Sequence, residues 1–306
     1  MSSQKFRILS IDGGGIRGAF SAHILTCISE RLKINLHEAF DMFAGTSTGS
    51  IIAAAIACNK SPTEISNLYQ IHGKDIFSSK KKSIWPEKFK LGMHSKYNKD
   101  NLEKLLTDQF GDTQLKDVDK PLLIPATDIG NGCVHVFKSP YSEAFTRDGD
   151  FLVSGAVLAS CSAPVYFDPE KVENYHLADG GIWANNPSLA AAIDATKRLN
   201  IEWNDIQILS IGTGLSRVAY GTQKKRNWGL LNGWNSSEFV DFNLSLQAQS
   251  THNYLSLILG KNQIMRLNFE SDKPLPMDDF RIVDDLVSRA DRLFTHESEK
   301  LIEFFA

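Results

Sequence analysis

Cysteine is scarce in this chain of 306 residues: Cys27, Cys58, Cys133 and Cys161 stand far apart, without the close spacing of a zinc site or a disulfide framework. They read as reduced, mostly buried thiols of a cytosolic protein. Long apolar runs are missing too. The longest, Ile51 to Cys58, falls far short of the roughly 20 residues that cross a bilayer. No charged leader with an apolar core precedes the first strand-like run. The expectation is a soluble, cytoplasmic protein that meets membranes only peripherally. There is no Pro/Gly/Ser linker, repeat or low-complexity tract, which argues for one sizeable domain over residues 1–306. No histidine or carboxylate cluster has metal-ligand spacing, so neither metal nor cofactor is expected. Nor does one sign of charge dominate. Lys and Arg number 33 against 36 Asp and Glu, a net charge of −3, which disfavours binding to a nucleic-acid polymer.

What is present is an interleaving of strand-like and helix-like runs. Ile8 to Ile11, Leu122 to Asp128, Val134 to Phe137 and Ile206 to Ile211 read as strands between helical stretches. This α/β pattern predicts a mainly parallel sheet covered on both faces. The core is expected over about residues 6–215, with a C-terminal extension, 216–306, packed on the same domain. Phe40, Met42 and Phe43 are expected in the core.

Three glycine-rich turns follow strand-like runs. In Gly45-Thr46-Ser47-Thr48-Gly49 a serine sits between glycines, before the apolar run Ser50 to Ala57. That is the pattern of a nucleophile elbow, where a tight strand-to-helix turn exposes the serine at a helix N-terminus; ordinary turns also produce it. Near the N-terminus, Phe6 to Ile11 leads into Asp12-Gly13-Gly14-Gly15-Ile16-Arg17-Gly18 and then a helix from Ala19 to Leu32. Two functions fit this loop. It satisfies the dinucleotide fingerprint Gly-x-Gly-x-x-Gly, yet the acidic residue wanted about twenty positions on falls near Leu36 to Glu38, away from any strand end. Alternatively its amides form an oxyanion hole, with Arg17 holding the loop or facing the anion. Third, Ala178-Asp179-Gly180-Gly181 follows strand-like Val172 to Leu177; alone, an Asp-Gly pair is a turn former. Gln207 to Gly214 ends in another glycine turn, expected at the same end of the sheet.

Asp12 to Gly18, Gly45 to Gly49, Ala159-Ser160-Cys161-Ser162-Ala163-Pro164-Val165-Tyr166-Phe167 and Asp179-Gly180-Gly181 resemble the four blocks of the patatin-like phospholipase family, in that family's order. Asn262 to Asn268 and Pro276 to Asp279 resemble later segments of the same domain. The resemblance implies a three-layer α/β/α sandwich and a Ser-Asp dyad. In it Ser47 is the nucleophile, Asp179 the general base, Gly13, Gly14, Gly15 and Arg17 the oxyanion hole, and Gly45, Thr46, Thr48 and Gly49 the elbow. It implies cleavage of fatty-acyl esters of membrane glycerophospholipids. A Ser-Asp-His triad would need His252 or His296, which read as surface or capping residues.

Compact length, a start almost at the first strand and the tail pattern resemble the bacterial members that serve as cyclic-nucleotide-activated effectors in anti-phage signalling. The expected partners are therefore a membrane phospholipid surface, a cyclic di- or trinucleotide activator, and a second copy of the chain. No motif identifies an activator site. Lys80-Lys81-Lys82 with Trp85, Lys88, Phe89 and Lys90, and Lys224-Lys225-Arg226 with Trp228 and Trp234, mix cations and aromatics. Each reads as a solvated loop, a lid, or a surface for anionic headgroups or a phosphate-bearing effector.

Overall fold

The computed structural model describes residues 5–76, 95–216, 234, 236–273 and 275–306. Its organising strand is β1 (Phe6–Ile11), in which Ile8, Leu9 and Ile11 are fully buried. A strand covered on both faces has no solvent side, so its sequence runs apolar without alternation. The other strands are β2 (Met42–Gly45), β3 (Leu122–Asp128), β4 (Cys133–Lys138), β5 (Glu170–Val172), β6 (Tyr175–Asp179), β7 (Ile206–Ile211), β8 (Leu215–Ser216), β9 (Ile264–Leu267) and β10 (Glu270–Ser271). Among the described residues the main sheet has eight strands in the order β5-β6-β3-β2-β1-β7-β9, with β4 on β3. Pairing from β3 through β2, β1 and β7 to β9 is parallel; β4, β5 and β6 pair antiparallel. The stretch from Val172 to Leu177 is thus the hairpin joining β5 to β6.

The helices are α1 (Gly18–Leu32), α2 (Leu36–Ala39), α3 (Thr48–Ala57), α4 (Pro62–Ile76), α5 (Asp100–Phe110), α6 (Val153–Ser160), α7 (Gly181–Ala184), α8 (Ser188–Arg198), α9 (Ser236–Ile258) and α10 (Val283–Phe305). Alternate strand residues feed two cores. Leu9, Ile11 and Phe43 pack with α1, α3, α4 and α10 on one face; Ile8, Met42 and Ala44 pack with α8 and Leu255 of α9 on the other. These are the three layers expected. Phe40, Met42 and Phe43 are fully buried as anticipated. Every residue of α3 is buried, which explains a helix as apolar as Ser50 to Ala57. The segment after residue 216 adds β9 to the main sheet beside β7 and lays α10 along α1.

One register detail places the chemistry. β4 occupies one edge of β3 from Leu123 to Asp128, so β2, at Leu122 and Leu123, and β6, at Ala126 to Asp128, share the opposite edge. β2 stops at Gly45, and β6 runs back toward that stopping point from the other direction, ending at Asp179. The turn after β2 and the last residue of β6 therefore face each other across the gap. Among the described residues no helix is long and apolar enough to cross a membrane.

Candidate active site

Ser47 follows β2 and precedes α3 with φ 53° and ψ −126°, a backbone state that strains any residue with a β-carbon. Three hydrogen bonds hold it there: its amide donates to Ser160 Oγ (2.9 Å), and its carbonyl accepts from the Ser50 amide (2.8 Å) and hydroxyl (2.6 Å). The turn closes so tightly that a β-carbon on Gly45 would lie 2.1 Å from the Gly49 carbonyl oxygen, and one on Gly49 would lie 2.2 Å from that of Ile11. Thr46 Oγ1 donates to the Ala184 carbonyl (2.6 Å), and Thr48 Oγ1 meets the Tyr69 hydroxyl at 2.5 Å. The two threonines thus tie the elbow to α7 and α4.

Ser160, at the end of α6, is completely buried and donates in turn to the Pro125 carbonyl of β3 (2.6 Å). Within its sequence block nothing marks it as the support of the elbow. Ser160→Ala would leave the buried Ser47 amide and Pro125 carbonyl unpaired, at about 1–3 kcal/mol of stability. Because the strained turn is then under-determined, turnover on a soluble ester should fall about 10- to 100-fold with little change in KM. Steady-state kinetics beside thermal denaturation checks both.

Asp179, the last residue of β6, is 5% exposed, and its Oδ1 accepts the Gly181 amide at 2.7 Å. Burial pushes its carboxyl up to about 6; the Gly181 amide and the Ser47 hydroxyl, both favouring the ionised form, hold back part of that rise. Ser47 and Asp179 border one apolar cavity of about 160 Å³, whose walls include Ile51, Leu102, Pro164 and Phe167. Cys161 borders it as well, but burial raises its thiol and keeps it protonated, which leaves it a poor nucleophile.

The glycine loop after β1 reaches the same cavity through Gly14 and Gly15. The Gly13 amide donates to the Asn185 carbonyl (3.0 Å), the Ile16 amide to that of Met277 (2.8 Å), and the Gly13 carbonyl accepts from Thr213 Oγ1 (2.8 Å). Thr213 belongs to the glycine turn after β7, which does lie at this end of the sheet. Of the three glycine amides read as an oxyanion hole, Gly13's is therefore engaged elsewhere. Those of Gly14 and Gly15 have no hydrogen-bond partner among the described residues. Arg17 resolves in favour of holding the loop. Its buried guanidinium donates to the carbonyls of Gly14 (3.2 Å) and Leu275 (3.4 Å) and pairs with Asp241 of α9 (2.8 Å). Asp12 is likewise committed, its carboxylate paired with Arg266 of β9.

No histidine lines the Ser47 cavity among the described residues. His296 is exposed on α10, whereas His252 is half-buried on α9 rather than the surface residue expected, and burial lowers its pKa. A His23–Cys27–Asp291 grouping joins α1 to α10, but Asp291 is paired with Arg31 and burial pushes the Cys27 thiol up to about 12. The cationic clusters at 80–90 and 224–228 lie outside the described residues. Trp234 is described, standing edge-on to Phe239 with ring centroids 5.4 Å apart.

A family model described as patatin-like phospholipase matches residues 9–192, which include the glycine loop, Ser47, Ser160, Asp179 and Asn185. The chain is 32% identical to a "cGAMP-activated phospholipase" of Escherichia coli over 229 residues, covering 68% of this chain and 62% of that protein. It is also 32% identical to a "cUMP-AMP-activated phospholipase" of Escherichia coli, covering 68% of this chain and 65% of the relative, so it spans less than two thirds of either protein. "Patatin-like protein 2" of Arabidopsis thaliana is 32% identical, covering 82% of this chain and 74% of the plant protein. On the strength of the family match across most of the sheet, with the glycine loop, Ser47 and Asp179 inside it, this chain belongs to the patatin-like phospholipase family.

Proposed function

We propose that this chain is a serine acyl hydrolase that cleaves fatty-acyl esters of glycerophospholipids with a Ser47–Asp179 dyad and no metal or cofactor. The observation that carries the reading is a strained serine against a buried carboxylate at one end of an apolar cavity, beside two unengaged glycine amides. Ser47 Oγ attacks the ester carbonyl as its proton passes to Asp179. The carbonyl oxygen becomes an oxyanion facing the Gly14 and Gly15 amides. On collapse the C–O bond to the lysolipid breaks, and the proton on Asp179 goes to the leaving alkoxide. Water then attacks the acyl carbon, gives its proton to Asp179, and the fatty acid leaves as Ser47 is restored. The apolar walls suit an acyl chain. A raised carboxyl is a better base for an alcohol than an ordinary aspartate, because its basicity moves toward that of the proton it must take.

A nucleotide-binding role for the glycine loop fits less well. Two of the groups that would meet a diphosphate, the Gly13 amide and Arg17, are already bonded within the protein, and the Asp179 carboxylate would repel it. Control by a cyclic nucleotide is supported by the names of the bacterial relatives. A cytoplasmic enzyme that contacts the membrane peripherally and pairs with a second copy completes the proposal.

The test is lipid product analysis by mass spectrometry on phosphatidylethanolamine/phosphatidylglycerol vesicles, with and without a panel of cyclic di- and trinucleotides. Free fatty acid and lysophospholipid should appear, should increase with one of the nucleotides, and should vanish in Ser47→Ala. Equal release in every condition would leave a constitutive hydrolase. No release under any, together with no fluorophosphonate labelling of Ser47, would overturn the hydrolase itself.

A further inference from the structure

Behind the glycine loop lies a second cavity of about 180 Å³, and its character is opposite to the first: Asp12, Arg17, Thr213, His252 and Arg266 line it. Its two cations are neutralised by carboxylates, Arg17 by Asp241 and Arg266 by Asp12, so it offers dipoles without a free charge. Such a space suits water better than an anion, and it has room for several molecules. Two buried groups on it have no hydrogen-bond partner among the described residues, Asn185 Oδ1 and His252 Nδ1.

Asn185 borders both cavities. Its residue is 5% exposed, and its Nδ2 donates to the Leu244 carbonyl at 3.3 Å, which fixes the amide so that Oδ1 is the atom left over. That oxygen sits beside the reacting groups. A β-carbon on Gly181 would lie 3.0 Å from Asp179 Oδ1 and 3.3 Å from Asn185 Oδ1; one on Gly13 would lie 2.4 Å from Asn185 Oδ1 and 3.2 Å from Ser47 Cβ. The space kept open by these two glycines is thus shared by the base, the nucleophile and an unpaired acceptor.

We propose that Asn185 Oδ1 positions the water that hydrolyses the acyl-enzyme, and that the polar cavity supplies it. This rests on the dyad reading above. Once an acyl chain on Ser47 fills the apolar cavity, water entering from that side must displace it, whereas the polar cavity meets the apolar one at Asn185 and Leu244, which line both. A water that donates one hydrogen to Asn185 Oδ1 and the other to Asp179 presents a lone pair to the acyl carbon. The new O–C bond forms as Asp179 takes the proton, and the Ser47 Oγ–C bond breaks as that proton returns to serine. Asn185 acts only through this water and is needed for deacylation, not acylation.

Two variants test this, Asn185→Leu and Ala248→Leu; the second fills the polar cavity from α9 without touching Ser47 or Asp179. With a p-nitrophenyl acyl ester, both should keep the rate constant of the first turnover within about twofold while steady-state turnover falls about tenfold or more. Intact-mass analysis should show an acyl adduct accumulating on Ser47, and methanol, a competing nucleophile, should not restore turnover in Ala248→Leu. Loss of acylation and deacylation in equal proportion, or wild-type turnover in both variants, overturns the proposal. Failure of the parent enzyme to form any adduct or release any acid would instead overturn the hydrolase reading.

Discussion

Ser47→Gly should abolish ester hydrolysis and at the same time make the protein more stable. Loss of the proposed nucleophile is expected to lower kcat/KM by about 10³-fold or more, leaving what the amides and binding alone provide. The stability gain comes from the backbone: φ 53° with ψ −126° costs a residue with a β-carbon on the order of 1–3 kcal/mol, and glycine adopts it freely. Set against the larger chain entropy glycine loses on folding, a net gain of about 1 kcal/mol remains. Ser47→Ala keeps the β-carbon, so it should be equally inactive without the gain. Thermal denaturation of the two variants side by side decides the matter; equal melting temperatures would mean that the turn stores no strain.

The second large effect belongs to Asp179→Asn, and pH governs it. The carboxyl rises from its ordinary 3.8 to about 6 in the folded protein because burial opposes its ionisation. Below about pH 4 it is protonated in both folded and unfolded chains and carries no penalty. As pH rises through 6 the folded protein must ionise it at a disadvantage, so stability is lost, by an amount on the order of 1–3 kcal/mol. Asparagine removes this penalty while still accepting from the Gly181 amide. The variant should therefore be more stable than the parent above pH 6 and equal to it near pH 4, with hydrolysis down about 10³-fold or more. In the parent, kcat/KM should fall tenfold per pH unit below about 6 and level off above it. A profile that turns near pH 4 would show an ordinary carboxylate and remove Asp179 as a tuned base.

The sequence made legible what is locally enforced. Gly45 and Gly49 flank Ser47 because atoms four residues apart nearly touch, so the steric demand and its signature lie in one short stretch. The strand runs Ile8 to Ile11 and Ile206 to Ile211 were equally plain, since a doubly covered strand has no polar alternation. Other features depend on register between distant segments. Ser160 beneath the Ser47 amide, Thr213 on the Gly13 carbonyl and the Asn185 carbonyl on the Gly13 amide are set by how β3, β7 and α7 meet. A serine, a threonine and an asparagine carry no local mark of such duties. Arg17 could be read either way from sequence because its partner, Asp241, lies on a helix more than two hundred residues away. His252 reads as a surface residue from its polar neighbours Ser250, Thr251 and Asn253, whereas in the fold it is half-buried and lines the polar cavity with Arg266 of β9.

The meeting of β2 and β6 on one edge of β3 also orders events in time. Ser47 is made early, but Asp179, its proposed base, is the last residue of an antiparallel strand that pairs with β3 only after the chain has been extended past the intervening helices. During translation the nascent chain emerges N-terminus first, so Ser47 precedes both Asp179 and Ser160, whose hydroxyl holds its amide. Ser47 and Asp179 come together only once β6 has paired with β3.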